Sequence, residues 1–183
     1  MTTTRDPCPG HDVLDALRAA FPPEWREPPL GQRAVAAWEA EHGVALPEPY
    51  RTFVAEIANG SAVGPAEDGG LQPLGLLPAQ WPDLGPGGRR PGAPFPVEAA
   101  WCWEDEEDGD PDDPRIDAAF NDGSVVLGSD DGQSFWLLVT TGPRRGEVWM
   151  VADVGVTPVP TAGGAWGFAE WVGQWRAEED GWS

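Results

Sequence analysis

The chain has 183 residues, with 31 Asp and Glu against 11 basic residues that are all Arg, for a formal net charge of −20 at pH 7. That charge opposes a phosphate backbone or an anionic bilayer, so nucleic acid and membrane are poor partners; the acidity either complements a basic protein or serves only to keep the chain in solution, and composition alone favours the second. The length suits one domain with a sizeable core. No apolar run approaches the roughly 20 residues of a membrane span, and the start MTTTRDPCPGHD lacks a secretory pattern, so a cytoplasmic location is expected.

Residues 1–30 read as a helical N-terminal extension. Within it, DVLDALRAAF puts Val13, Leu14, Leu17, Ala20 and Phe21 on one face, with Asp12 as N-cap and Pro22-Pro23 as the stop. A second helix is expected over 32–42, with Val35 and Trp38 inward and Gly43 as its C-cap. A third, over 47–58, comes from LPEPYRTFVAEIANG, where Tyr50, Phe53, Val54, Ile57 and Ala58 follow the helical i, i+3, i+4, i+7 spacing. Pro47 and Pro49 suit its first turn, Asn59-Gly60 its end, and Glu48, Arg51, Thr52 and Glu56 its exposed face.

The 24 Gly and 21 Pro concentrate between residues 60 and 114. Around Leu74, Leu76 and Leu77 a short strand or turn is expected, and GPGGRRPGAPFP (85–96) reads as an exposed loop. It runs into an acidic stretch that ends near residue 114. From Glu104 to Asp113 eight of ten residues are acidic, and their mutual repulsion favours a solvated loop. SVVLG, SFWLLVT and GEVWMVADV then have the composition and spacing of a three-stranded antiparallel meander over 124–154. Phe135 to Val139, apolar throughout, should be a central strand covered on both faces. A last helix over 167–176 carries Phe168, Trp171, Val172 and Trp175 on one face. The elements together predict one α+β domain, an antiparallel-rich sheet packed against several helices. Its expected core includes Trp38, Tyr50, Phe53, Ile57, Phe135, Leu137, Val139, Trp149, Phe168 and Trp171.

Sites of chemistry are few. Placing Gly109 at the sixth position of a calcium-binding EF-hand loop puts Arg115 at the twelfth, where a bidentate Glu is required, so that pattern fails. Asp130-Asp131-Gly132 sits where a hairpin needs turn residues. His11 and His42 are solitary, and Cys8 and Cys102 have neither CxxC spacing nor a His pair nearby. Neither catalytic residues, metal nor cofactor is expected. Trp101 and Trp103 lead into the acidic run and would share one face of a strand, either as interface anchors or as core at the strand end. The candidate partner-binding residues are Trp101, Trp103, Glu104, Asp105, Glu106, Glu107, Asp108, Asp110, Asp112 and Asp113.

The segment from Trp38 to Ser61 resembles the signature of the SUKH superfamily, which includes a yeast cell-wall synthesis regulator and many bacterial immunity proteins. The residues that carry the likeness are Trp38-Glu39, Gly43, Leu46-Pro47, Tyr50-Arg51, Phe53 and Asn59-Gly60. Downstream, LQPLGLL, WLLVTTGPRRGEVWMV and FAEWVGQW look like the family's Pro-Leu segment, paired strands and closing aromatic helix. The order extends over roughly residues 32–176. The turn DDGQSF and the long 85–114 stretch depart from the family pattern. The resemblance implies a SUKH-like fold and a binding activity without shared catalytic residues. Most often that activity is neutralisation of a cognate bacterial toxin; the alternative is an intracellular regulatory adaptor of the cell-wall regulator type.

Overall fold

The computed structural model describes residues 5–83, 87–107, 109–160 and 163–181. Its helices are α1 (His11–Ala20), α2 (Gln32–His42), α3 (Tyr50–Glu56), α4 (Pro114–Asn121) and α5 (Phe168–Gly181). Its strands are β1 (Trp101–Cys102), β2 (Ser124–Asp130), β3 (Ser134–Val139), β4 (Val148–Ala152) and β5 (Gly155–Pro158). All strand pairs are antiparallel, in the order β1-β5-β4-β3-β2. The α+β architecture and the meander follow the expectation from sequence, and two short strands extend the meander on the β4 side.

Strand alternation sends side chains to both faces of the sheet, and each face has a core. On the first, Val125, Leu127, Leu138 and Val148 meet α1, α2, α3 and α5 through Leu14, Leu17, Val35, Tyr50, Phe53, Phe168 and Trp171. On the second, Val126, Phe135, Leu137, Val139, Trp149 and Val151 meet Ala119 and Phe120 of α4. Because α4 is the one helix on the second face among the described residues, loops complete its cover. Phe95 stacks edge-on against Trp149 at 5.2 Å, and the Thr140 and Thr141 hydroxyls donate to Pro91 O (2.6 Å) and Ala93 O (2.8 Å). Residues 87–96 are therefore a fastened cover, where the sequence predicted only an exposed loop. Arg89 secures it, donating to Phe120 O at 2.5 Å and to the Ser124 carbonyl and hydroxyl, with its guanidinium 5.0 Å from the Trp81 ring centre. Burial lowers its pKa to about 10, so it stays charged at neutral pH.

The outer edge of β2 is covered as well. Asp68 N–H donates to Ser129 O (2.9 Å) and Gln72 N–H to Leu127 O (2.8 Å). The segment around Leu74 is a turn without strand pairing, and Leu74 is buried while Leu76 and Leu77 are exposed. Gly128 permits this cover to approach: a Cβ there would lie 2.4 Å from the Ala66 Cβ. It also follows the β2 register shift that leaves Leu127 as an extra residue.

Several local expectations change. Gly10 precedes α1 and no side chain caps it; Asp12 lies in the first turn, where a carboxylate still complements the helix dipole. Pro47 and Pro49 stand ahead of α3, because a residue before proline is disfavoured in helical conformation and Glu48 is therefore held outside. Trp38 is half-buried, stacked on His42 at 4.1 Å on the rim of α2. The other nine residues of the expected core are buried. The largest correction concerns Arg51 and Thr52, expected on an exposed face but buried. α2 packs beside α3 and places Glu39 against Arg51. The Arg51 Nε donates to Glu39 Oε1 at 3.0 Å, Arg51 Nη2 donates to Oε2 at 3.2 Å, and Leu46 N–H donates to Oε1 at 2.9 Å.

The N-terminal segment docks on this body. Leu14, Leu17, Ala20 and Phe21 join the first core, Phe21 lies 5.2 Å from Phe53 and 5.4 Å from Trp175, and Asp6 pairs with Arg145 at 2.6 Å.

Candidate protein-binding site

β1 is short because an acidic run follows it at once, yet it fixes where that run leaves the body. Trp101 pairs with Val156 and Cys102 with Gly155 on β5. Trp101 and Trp103 are both half-buried, meet at 5.1 Å, and pack against the second core, with Trp103 6.3 Å from Phe120. Their polar edges are occupied: Trp101 Nε1 donates to Glu106 Oε1 (2.8 Å) and Trp103 Nε1 to Asp153 O (2.5 Å). Each ring has one side in the second core and another at the surface.

The acidic run is exposed but fastened at both ends. At its start, Trp101 holds Glu106. At its end, Asp113 is the N-cap of α4, accepting from Arg115 N–H at 2.9 Å, and its carboxylate also pairs with the Arg115 guanidinium at 2.6 Å. These Arg115 hydrogen bonds hold the Asp113 pKa below the usual aspartate range, and the same contact raises that of Arg115. The guanidinium also lies 4.5 Å from the Trp101 ring centre, closing a chain of contacts from β1 to α4. Asp110 Oδ1 accepts from Asp112 N–H at 2.9 Å, and Gly109 N–H donates to Glu106 O at 2.9 Å. Repulsion among the carboxylates is thus met by local pins, and a purely solvated loop is not what forms.

The structure brings together Trp101, Trp103, Glu106 and Asp113 by direct contacts, and it displays Glu104, Asp105, Glu107, Asp110 and Asp112 around them. Asp108 lies outside the described residues. Among the described residues, no ion pair or side-chain hydrogen bond engages the carboxylates of Glu104, Asp105, Glu107 or Asp112. Such unneutralised charge at a surface is what a cationic partner can use. Also among the described residues, no group of three or more His, Cys, Asp or Glu side chains is arranged to hold a metal ion, and Cys8 and Cys102 are free and exposed. Among the described residues, no helix is long and apolar enough to cross a membrane.

Sequence reasoning missed Arg115, Ile116 and Phe120. The signal was present: Asp113 followed by Pro114 is a helix start, and Ile116, Ala119 and Phe120 have the i, i+3, i+4 spacing of a buried face.

The family model described as SMI1 / KNR4 family (SUKH-1) matches residues 29–171. The chain belongs to this family. The searches of the curated proteins and of the solved structures found no match to this chain. The SUKH-1 span takes in α2, α3, the whole sheet and the start of α5, together with every candidate binding residue; α1 and most of α5 lie beyond it. The resembling motif residues Glu39 and Arg51 form the buried ion pair of this SUKH-1 domain, which makes them part of its scaffold.

Proposed function

We propose that this SUKH-1 protein is a non-catalytic, cytoplasmic binding protein of the immunity type, which neutralises a basic bacterial toxin by covering it with the surface around β1 and the acidic run. The observation that carries the reading is the fastened acidic segment: exposed carboxylates without partners, presented beside two half-buried Trp rings on a chain of net charge −20. Complementary charge accelerates encounter, while aromatic anchors slow dissociation. Family membership supports a protein-interacting role and leaves the partner to be found.

The test is to co-purify the protein with the C-terminal domain of a large secreted protein encoded beside its gene, and to follow that domain's toxicity. A stoichiometric complex that abolishes toxicity is expected. A neighbouring toxin that stays unbound and active would sink the immunity reading in favour of the regulatory adaptor.

A further inference from the structure

One cavity adjoins the acidic segment. It measures about 360 Å³, near the lower end of the ~300–1,000 Å³ typical of ligand sites, and opens between α4, the β2–β3 turn and the segment around Gln80. Ile116, Phe120 and Phe135 form its apolar floor, and Gln80, Gln133 and Asp153 stand at its mouth. Phe120 and Phe135 are nearly fully buried, whereas Gln80, Gln133 and Asp153 are exposed. Two contacts join the cavity to the acidic segment: Trp103 lies 6.3 Å from Phe120 and donates to the Asp153 carbonyl. Asp153 is exposed at the mouth, and the exposed turn residue Asp131 directly precedes the lining Gly132, so acidic residues continue from the acidic run to the cavity.

We propose that this cavity is an anchor site for one apolar side chain of a basic protein segment, with flanking cations on the partner meeting Asp153, Asp131 and the acidic run. The inference rests on the binding surface proposed above and adds the side-chain chemistry of the partner. The floor offers apolar contact and the rim offers negative charge, so a lysine- or arginine-rich segment bearing a leucine-like residue is complementary to both. The acidic run governs how fast the partner arrives; the cavity governs how long it stays.

The probes are a short amidated peptide with a single central leucine between runs of lysine, and its twin with alanine at that position. Binding is followed by titration of amide chemical shifts at low and high salt. The leucine peptide should bind the full-length protein about tenfold or more tightly than its twin, the factor expected for burying the extra methylenes, with shifts centred on Ile116, Gln133 and Phe135. Two pocket variants, Ile116→Gln and Gln133→Trp, are read separately. Each should reduce the leucine preference to about twofold or less while the alanine peptide's affinity holds, and Gln133→Trp changes an exposed side chain while the backbone N–H bonds of the turn to Asp130 and Asp131 remain. A quadruple variant, Glu104→Gln, Asp105→Asn, Glu107→Gln and Asp112→Asn, should weaken both peptides and keep their ratio. Equal, salt-sensitive binding of the two peptides overturns the anchor site and leaves the acidic surface standing. So does a leucine preference that survives both pocket variants. A leucine preference with both peptides' affinities unchanged in the quadruple variant supports the cavity and overturns the acidic surface, and no binding of either peptide overturns both.

Discussion

Replacing Glu39 by Ala should be among the most damaging changes to this protein. The Glu39 and Arg51 side chains retain only 8% and 7% of their exposure, so neither charge is solvated. Without the carboxylate, Arg51 keeps one side-chain acceptor, Gln32 Oε1 at 2.8 Å, and the buried Leu46 N–H loses its acceptor. Removing one member of a buried pair costs about 3–5 kcal/mol. The orphaned amide, worth about 1–3 kcal/mol, places the expected loss in the upper part of that range. Set against a typical domain stability of about 5–15 kcal/mol, this is a large share of the total. Urea denaturation followed by Trp fluorescence measures it, read as a fall in midpoint at constant slope. The double variant Glu39→Leu, Arg51→Met should lose much less than the sum of the single truncations, since it leaves no isolated buried charge. A Glu39→Ala loss below about 1 kcal/mol would refute the reasoning, because the pair would then be solvated.

Phe53 is fully buried between Phe21 and Phe168, and Phe53→Ala should cost about 3–5 kcal/mol in the same assay. The Tyr50 hydroxyl is buried without a hydrogen-bond partner among the described residues, and burial raises its pKa well above the usual tyrosine value. Tyr50→Phe should therefore leave stability unchanged or raise it by about 1 kcal/mol; a comparable loss would show that the hydroxyl is hydrogen-bonded. Because the folded pKa of Asp113 is depressed, its pinning of α4 is complete above the ordinary aspartate value of 3.8 and is lost as pH falls through the lower folded value. A carboxyl carbon NMR titration should give Asp113 a midpoint below 3.8, and a midpoint at or above it contradicts the Arg115 contact.

Elements with strong periodicity were legible before the structure. α2 ends at Gly43, in the left-handed conformation its sequence position implied, and the three strands of the meander fall where β-branched and aromatic runs meet turn residues. β5 was missed because its four residues are too short to show alternation, whereas β1 was foreseen as a strand through Trp101 but its pairing with β5 was not. Arg51 was misplaced because helical periodicity sees charge but not the neighbour that neutralises it; only the packing of α2 on α3 brings Glu39 within reach. At the site, composition located the acidic run, but its pins depend on a helix start at Asp113 and on Trp rings placed by β1 pairing. The cavity beside it needs α4, the β2–β3 turn and the Gln80 segment to converge from distant parts of the chain.

The most direct measurement is the association rate of the protein with its basic partner, for wild type and for the quadruple Glu104→Gln, Asp105→Asn, Glu107→Gln, Asp112→Asn variant, at low salt and at about 1 M salt. Those four side chains hold nothing in place within the described structure, so thermal stability should be unchanged or slightly higher. At low salt the variant should associate about tenfold more slowly, with a smaller change in dissociation. At about 1 M, where the Debye length shrinks to about 3 Å, the two association rates should converge. Equal association rates at low salt would contradict the account, leaving the acidic run as a solubilising surface and the partner site elsewhere.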